Sequence, residues 1–440
     1  MSTTEDAAAP DHAPDAEALE ICRDLIAIDT TNFGDDSGPG ERKAAEYVAA
    51  SLAEVGIASE IVESEPGRAS LVARWGNQDS DREGLLIHGH LDVVPAQSAD
   101  WSVDPFAAEV RDGYLWGRGA VDMKDFDAML LSTVRARQRA GRIPDRPITL
   151  VFTADEEAGG RKGAHWLVEH RRDLVEGCSQ AIGEVGGFSV EVGGQRLYLM
   201  ETGEKGINWM RLTARGTAGH GSMRQDDNAI THLARALVAI GEHEWPAEPG
   251  PSMRALLETV GELTGARSDD PDEILAAVGP AIRMLGSGLR NSTNATMTSA
   301  GYKHNVVPGE AVAYVDGRYL PGHEDTFLPA VQELAGPHVD VEPYIVDRAL
   351  EYSTQSDLVD AMTVALLAED PGARIAPYLM SGGTDAKAWD KLGMTSYGFT
   401  PLRLPGDLDF TALFHGVDER VPVDALAFGA RVFDRFLDLI

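Results

Sequence analysis

Short apolar strands alternate with helices through the first half of the sequence, and this alternation limits the fold more than any other feature. The strands are indicated by "SLVARW", "GLLIHGH", "PITLVFTADEE" and "QAIGEV", and the helices by "FDAMLLSTVRARQRAG" and "GAHWLVEHRRDL". Strands alternating with helices of about ten to fifteen residues predict an α/β domain with a mostly parallel sheet and helices on both faces. In such sheets the functional site lies beyond the carboxyl ends of the strands.

The pattern changes after Gly206 and returns to the α/β type near residue 348. The segment between reads as strand "INWMRLTARGT", helix "AITHLARALVAIGEH", strands "NATMTSAGYKHNVV" and "AVAYVDGRYL", helix "EDTFLPAVQELAG" and strand "VDVEPYIV". Apart from an insertion at about 245–290, this order is β-α-β-β-α-β, which predicts a ferredoxin-like α+β domain. We therefore expect one domain over 16–205 and 348–440, and a second domain over 206–347 inserted into it.

Charge and composition limit the partners of the chain. It carries 71 acidic and 38 basic residues among 440, a formal net charge of −33. Nucleic acid and anionic membrane both need basic patches, so we expect neither as a partner. No run approaches the roughly eighteen apolar residues of a membrane helix, and the acidic N-terminus lacks the features of a secretory signal. We expect residues 1–15 to be a disordered lead, Cys22 and Cys178 to be buried thiols, and the protein to be cytoplasmic.

Histidines and acids gather where apolar strands or glycine-rich turns end. These side chains are costly to bury unless something satisfies them, and a metal ion would do so. The motifs and their residues are "HGHLD" with His90 and Asp92, "GRGAVDMKD" with Asp122, "TADEEAGG" with Glu156 and Glu157, "IGEVGG" with Glu184, and "FHGVDER" with His415.

This set of ligand types suits a pair of metal ions. Catalytic zinc takes three protein ligands of the His/carboxylate kind and keeps a position open for water. Two histidines and three carboxylates supply six bonds only if one carboxylate bridges the ions. Paired metals about 3.5–4 Å apart share one activated water and polarise the scissile carbonyl. The adjacent Glu156 and Glu157 can divide the work, one on metal and the other on the water proton.

Seven motifs in order resemble those of the co-catalytic zinc aminoacylase/carboxypeptidase family, which includes aminoacylase, acetylornithine deacetylase, succinyl-diaminopimelate desuccinylase and carboxypeptidase G. They are "HGHLDVVP", "GRGAVDMKD", "TADEEAGG", "GTAGHGS", "NVVPGEAVAYVDGR", "SGGTDA" and "FHGVDE". The resemblance implies a zinc-hydrolase catalytic domain, an inserted lid/dimerisation domain and a homodimer. It also implies an N-acyl-amino acid or short peptide as substrate. The 245–290 insertion departs from a minimal lid and leaves dimer geometry and pocket shape open.

The same resemblance implies the metal ligands. His90 and Glu184 would bind one ion, Glu157 and His415 the other, and Asp122 would bridge both. The two divalent ions are expected to be zinc, with cobalt or manganese as alternatives. Because the residues alone do not assign ligands to ions, this division depends on the family pattern.

Catalytic roles follow in the same way. Glu156 would be the general base, and Asp92 would hold the His90 imidazole in the right tautomer. His220 resembles the family histidine that reaches the partner subunit's site and stabilises the oxyanion. The resemblance also implies a cis peptide bond at Asp122–Met123.

Four further residues would bind the substrate. Asn305 and Arg318 match the family residues that flank the substrate and grip its carboxylate. "SGGTDA" resembles the loop whose backbone cradles that carboxylate, around Gly383 and Thr384.

Several alternatives stay open from the sequence. His88 and His90 lie on the same face of one strand, so periodicity does not select between them as ligand. The family pattern selects His90, and we expect His88 to have a structural role in the core or beside the ligands. Asp125 is expected to cap the helix that follows it. A dipeptidase or another deacylase of the family is the alternative to an N-acyl-amino-acid hydrolase, and a non-catalytic binding protein is a remote one.

Overall fold

A computed structural model of the protein describes residues 13–35 and 37–440. Of the expected disordered lead, residues 1–12 lie outside this described part. The prediction is wrong at residues 14 and 15, which contact helices. The Ser132 hydroxyl donates a 2.8 Å hydrogen bond to the Pro14 carbonyl, and Arg431 pairs with Asp15 at 2.7 Å.

The elements alternate as expected through the first half of the chain. The helices are α1 (Ala18–Ala27), α2 (Arg42–Ala53), α3 (Lys124–Arg139), α4 (Ala164–His170), α5 (Arg172–Val175), α6 (Ala229–Gly241), α7 (Pro251–Thr264), α8 (Pro271–Leu275), α9 (Ile282–Leu285), α10 (Phe327–Ala335), α11 (Asp357–Glu369), α12 (Ala386–Asp390) and α13 (Val423–Leu439). Short 3₁₀ turns lie at Ser98–Asp100, Glu156–Ala158, Ala276–Ala281, Gly286–Leu289 and Phe410–Ala412.

The strands are β1 (Ser59–Glu65), β2 (Arg68–Gly76), β3 (Gly84–His90), β4 (Glu109–Arg111), β5 (Tyr114–Trp116), β6 (Pro147–Thr153), β7 (Cys178–Gly183), β8 (Phe188–Val192), β9 (Gln195–Glu204), β10 (Gly206–Arg215), β11 (Gly219–His220), β12 (Ser292–Ala300), β13 (Val306–Val307), β14 (Glu310–Tyr319), β15 (Val339–Asp347), β16 (Leu350–Glu351), β17 (Arg374–Met380), β18 (Thr395–Gly398) and β19 (Arg420–Pro422).

Ten strands form the main sheet, along the path β1-β2-β6-β3-β7-β18-β9-β16, with β17 and β8 also paired to β9. Its centre is parallel: β3 pairs with β6 and β7, and β7 pairs with β18. Antiparallel pairs lie towards both edges, β1 with β2 on one side and β9 with β8 and β16 on the other. The predicted α/β sheet is therefore confirmed.

Helices cover both faces of this sheet, as strand β3 shows. All seven residues of β3 are buried, which is the pattern of a strand covered on two sides. Leu85 and Ile87 join the core formed with α1, α3 and α13, whereas Leu86 packs into a second cluster with Leu167 of α4 and Trp389 of α12. Successive side chains of a strand point to opposite faces, so the alternation places one helical layer on each.

The inserted domain has the expected ferredoxin-like topology. Its four strands are antiparallel in the order β12-β14-β10-β15. Met210 and Leu212 of β10 pack against Leu233 of α6 and Val331 of α10 in a separate core. The domain boundaries at 206 and 347 agree with these elements and stay a prediction.

The insertion at 245–290 packs on the larger domain through its helices, whereas Trp245 at its start packs against the core of the inserted domain. It contains α7, α8 and α9, and its buried residues Met253, Leu256, Leu275 and Leu285 belong to the same core as the main sheet. The inclusion of this segment in the lid domain is therefore corrected. The alternation of apolar residues along its helices shows that they bury a face, but does not show against which domain.

Candidate metal centre

Three neighbouring parallel strands end at one edge of the main sheet. β3 lies between β6 and β7 and runs parallel to both, so their carboxyl ends meet. The candidate residues that end or follow these strands are His90 and Asp92 at β3, Glu156 and Glu157 at β6, and Glu184 at β7.

A small second sheet brings the C-terminal motif to the same place. β19 pairs with β5, which carries His415 and Glu419 to the loop of Asp122. The Glu419 carboxylate accepts hydrogen bonds from the backbone N–H groups of Val121 at 2.7 Å and Asp122 at 3.3 Å, and it pairs with Arg118 at 2.5 Å. Glu419 therefore holds the loop that presents the Asp122 carboxylate.

Asp122 lies between the two histidines. Its Oδ1 is 3.1 Å from His90 Nε2, and its Oδ2 is 3.2 Å from His415 Nε2. Glu157 Oε2 lies 3.0 Å from His415 Nε2, and Glu184 Oε2 lies 3.5 Å from His90 Nε2. All five predicted ligands thus meet in one cluster of side chains, which we call the metal cluster. Asp122 takes the central position that a bridging carboxylate needs.

The donor atoms fit a divalent cation. Two groups have their donor atoms within 4.8 Å of one another: His90 with Glu156 and Glu184, and His90 with Asp122 and Glu157. Glu157 Oε1 is buried and has no hydrogen-bond partner among the described residues, which is the state of a carboxylate oxygen that needs a ligand. Two divalent ions would balance the charge of the four carboxylates.

The carboxyl groups show the effect of crowded negative charge. Burial raises the pKa of Glu156 well above its ordinary value, and the neighbouring Glu184 raises it further. Burial and the charge of Asp122 raise the pKa of Glu157 to about 7. Burial likewise raises the pKa of Glu184. A cation in the cluster would favour the ionised forms, because an opposite charge within a few ångströms offsets desolvation.

The pKa values of the two histidines are raised as well, because the nearby negative charge favours the imidazolium form. Hydrogen bonds to Asp122 and Glu157 raise the pKa of His415 to about 10. Burial lowers the pKa of His90, but the charges of Glu184 and Asp122 outweigh burial and hold that pKa well above its usual range. Without a metal, both imidazoles therefore carry protons that a metal ion would displace.

Asp92 has a different role from the one predicted. His90 Nδ1 lies 2.9 Å from the backbone oxygen of Asp92 and 3.7 Å from its Oδ1, so the carbonyl orients the imidazole. The Asp92 carboxylate instead accepts hydrogen bonds from the backbone N–H groups of Glu156 and Glu157, each at 3.1 Å, and from Asn32 Nδ2 at 2.8 Å. It therefore fixes the turn that carries both glutamates.

The distances do not show which of Glu156 and Glu157 would bind metal and which would act as the base. Glu156 Oε2 lies 4.0 Å from His90 Nε2, and its donor atom groups with those of His90 and Glu184. The predicted division, with Glu157 on metal and Glu156 on the water proton, stays a prediction.

Three smaller predictions have clear outcomes. His88 is buried edge-on against Trp389, with ring centroids 5.7 Å apart, and burial lowers its pKa to about 3; its structural role is confirmed. The Asp122–Met123 peptide bond is cis, as the resemblance implies. Helix α3 already begins at Lys124, so Asp125 lies inside it and the predicted capping role is wrong.

Arg318 lies beside the metal cluster. It lines a cavity of about 330 Å³ together with Glu156, Glu157 and His415. Its Nε donates to Asp316 Oδ1 at 2.6 Å and its Nη2 to Asp316 Oδ2 at 3.0 Å. This pair fixes the guanidinium at the cavity wall.

The "SGGTDA" loop lines the same cavity, but its Thr384 is hydrogen-bonded to the side chain of Glu204. The backbone N–H of Thr384 donates to Glu204 Oε2 at 3.2 Å, and its hydroxyl donates to Glu204 Oε1. Lys387 pairs with the same buried carboxylate at 3.2 Å. The prediction that the Thr384 amide cradles a substrate carboxylate is therefore corrected, because a buried Glu204 already takes that donor. The role of Gly383 stays a prediction.

His220 and Asn305 lie together on the inserted domain. β11 pairs with β13, and the N–H of Gly221 donates to the carbonyl of Asn305 at 2.9 Å. Both side chains are exposed, and neither residue lines the two cavities beside the metal cluster. The structure therefore groups these two predicted residues with each other and not with the five ligands of their own chain.

Four supporting residues were not predicted. Asp385 accepts a 2.6 Å hydrogen bond from the Thr153 hydroxyl at the end of β6. Asp385 lies in the motif "SGGTDA" and Glu419 in the motif "FHGVDER", so the motifs themselves could have indicated these two residues. Asn32 and Glu204 act through contacts between distant segments, which no spacing in the sequence shows.

The comparisons agree with this fold and cluster. The model of the peptidase family M20/M25/M40 matches residues 86–439, and the chain belongs to this family. The chain is 27% identical over 446 residues to N-fatty-acyl-amino acid synthase/hydrolase PM20D1 of Xenopus tropicalis, covering 93% of this chain and 83% of the relative. It is 26% identical over 398 residues to aminoacylase-1 of Sus scrofa, covering 88% and 87%.

Among solved structures, the M20 family metallo-carboxypeptidase Sso-CP2 from Sulfolobus solfataricus has the same fold. Its TM-score is 0.74 at 18% identity, covering 96% of this chain and 99% of that chain. The chain is thus a hydrolase of a metallopeptidase family. No helix within the described residues is both long and apolar enough to cross a membrane, and the cytoplasmic location stays a prediction.

Proposed function

We propose that this protein hydrolyses the amide bond next to a free α-carboxylate, in an N-acyl-amino acid or at the C-terminal peptide bond of a short peptide. The observation that carries this proposal is the convergence of two histidines and four carboxylates at the sheet edge, with Arg318 on the wall of the adjoining cavity. The similarity to an N-fatty-acyl-amino acid synthase/hydrolase and to an aminoacylase supports it.

His90, Asp122, Glu157, Glu184 and His415 would hold two divalent ions, and zinc suits these nitrogen and carboxylate donors. When bound, such a pair supplies an activated water and polarises the scissile carbonyl.

Glu156 takes the proton from the attacking water and passes it to the leaving amine. Its Oε2 lies 4.0 Å from His90 Nε2, which places this carboxylate beside the predicted metal ligands and within reach of a water held there.

Arg318 would bind the substrate carboxylate. Among the described residues its hydrogen bonds use Nε and Nη2, both to Asp316. These bonds do not use the other edge of the guanidinium, which Nη1 and the second Nη2 hydrogen form. That edge can donate two parallel hydrogen bonds to a carboxylate, which a guanidinium makes and an ammonium does not.

The inserted domain would form a homodimer and supply His220 and Asn305 to the partner's site. Both residues are exposed, and neither lines the two cavities of its own chain, which supports this proposal. In this arrangement His220 stabilises the oxyanion.

The test is Glu156→Gln, in metal-loaded protein assayed with acetyl-, longer acyl- and aminoacyl-amino acids. We expect two metals per chain to remain and kcat to fall by about 10²–10⁴, the usual contribution of a general base. Metal content measured by elemental analysis separates the roles: loss of one ion would make Glu156 a ligand. A wild-type protein with two ions that cleaves none of these substrates would refute the proposed function.

A further inference from the structure

We infer that a second cavity beside the metal cluster binds an uncharged aliphatic acyl group, so that the substrate is an N-acyl-amino acid with a chain longer than acetyl. This inference rests on the proposed function and names the group on the far side of the scissile bond. The cavity has a volume of about 380 Å³. We call it the methionine cavity, after an apolar wall formed by Val185, Met284, Met380 and Phe414.

The wall has the chemistry of a site for flexible apolar chains. Met380 is buried, and Met284 and Phe414 are partly buried against the main core. Methionine is unbranched and adapts to the shape of an apolar ligand. The volume falls within the range of about 300–1,000 Å³ typical of small-molecule sites.

The charges of the cavity favour an uncharged chain in the part that lies beyond the cluster. Outside the metal cluster, the described residues that line it include no carboxylate. Its other charged group, Arg283, pairs with Asp409. A charged group at the far end of an acyl chain would therefore have no opposite charge to pair with, which is costly, whereas an aliphatic chain needs none.

The wall is built before the substrate arrives. Met284 and Arg283 lie on α9, inside the 245–290 insertion, and the adjacent Leu285 is fully buried in the main core. The ion pair of Arg283 with Asp409 joins the insertion to the loop that carries Phe414 and His415. A wall held in this way loses little conformational freedom on binding.

The two cavities fix the direction of the substrate. Both share Glu156, Glu157 and His415, but Arg318 lines one and Met284 lines the other. A substrate whose carboxylate contacts Arg318 and whose amide lies at the cluster therefore places its acyl chain in the methionine cavity.

The experiment measures kcat/KM for a series of N-acyl-methionines, from acetyl to dodecanoyl, with the metal-loaded wild-type protein. We expect kcat/KM to rise about fourfold per added methylene until the cavity is full, the gain that burial of one methylene gives. Met284→Trp fills the cavity and should lower kcat/KM for octanoyl and longer chains at least tenfold more than it lowers kcat/KM for acetyl. Val364→Trp, on the exposed face of α11, is the matched control and should keep the wild-type series.

Binding gives a second readout that does not need turnover. Calorimetry of Glu156→Gln should show tighter binding of N-dodecanoyl-methionine than of N-acetyl-methionine, and Met284→Trp in that background should remove the difference. Hydrolysis of N-acetyl-methionine with no chain-length dependence would overturn this inference and leave the proposed function standing. Cleavage of aminoacyl-amino acids in preference to every acyl substrate would also overturn it. No hydrolysis of any of these substrates would refute the proposed function, and this inference with it.

Discussion

At the scale of single residues, the metal cluster depends on carboxylates that are not among the five predicted ligands. Asp92 holds the backbone of Glu156 and Glu157, and Glu419 holds the backbone of Asp122. These contacts set where the ligand oxygens lie, and partners of this kind are usually worth about 10–100-fold in metal affinity or activity. The resemblance to the family predicts the ligands, but not which atom of Asp92 contacts His90.

Arg318→Lys should raise KM about tenfold for acyl-amino acids and leave kcat nearly unchanged. Lysine keeps the charge but loses one of two parallel hydrogen bonds to the substrate carboxylate, and a hydrogen bond to a charged group contributes about 1.5–3 kcal/mol. Steady-state kinetics on three acyl-amino acids measures both constants. An unchanged KM on all three would remove Arg318 from substrate binding.

His165 should make the fold sensitive to acid. Burial, followed by the charge of Lys391, lowers its pKa to about 4, and Lys391 Nζ lies 2.9 Å from its Nδ1. An unfolded histidine binds a proton below about pH 6.5. Between pH 6.5 and 4 the unfolded state therefore binds more protons, and the free energy of unfolding falls with falling pH by up to about 1.4 kcal/mol per unit.

His165→Gln should remove that part of the slope, measured by urea unfolding at several pH values across the window. His170→Gln, an exposed histidine of the same helix, is the control and should keep the wild-type slope. Equal slopes in all three proteins would show that His165 does not titrate in this range.

At the scale of elements, the helices of the 245–290 insertion belong to the larger domain and not to the lid. These helices pack on the larger domain, so they form part of the fixed wall of the site and not of the inserted domain. Proline at the start of α7 and glycine with a φ of 73° at its end mark the helix in the sequence. The surface it covers is decided by side chains far away in the chain.

Met253→Ala tests this packing. Met253 is fully buried in the main core, and such a truncation costs about 2–5 kcal/mol of unfolding free energy. Chemical denaturation measures the loss, and Met297→Ala, exposed on β12, should change stability by less than about 0.5 kcal/mol. A loss for Met253→Ala as small as that of the control would mean that α7 is not part of the core.

At the scale of the whole molecule, His220 belongs to a different domain from the predicted metal ligands of its own chain. His220 and Asn305 lie at one place on the inserted domain, and the five metal ligands lie on the larger domain. The proposed homodimer would bring one set to the other across the subunit interface.

Mixing two inactive variants tests this arrangement. In a mixed dimer of His220→Ala and Glu156→Gln, one of the two sites regains both groups. Random exchange of subunits should therefore restore about a quarter of the wild-type activity, because half of the dimers are mixed. Each variant mixed with itself is the control. Mass spectrometry verifies that the subunits have exchanged. If no activity returns after verified exchange, His220 acts within its own chain.

The sequence by itself determined the α/β class and the inserted ferredoxin-like domain, and its resemblance to the family singled out the five candidate ligands. Strand and helix periodicity are local, and His90, Asp122, Glu157, Glu184 and His415 each stand at the end of a local element. The tertiary structure decided which domain the 245–290 insertion covers, which atom of Asp92 orients His90, and that Glu204 takes the Thr384 amide. The physical reason is distance along the chain: burial and hydrogen bonding join segments that are far apart in sequence, and these contacts leave no periodic mark on either segment.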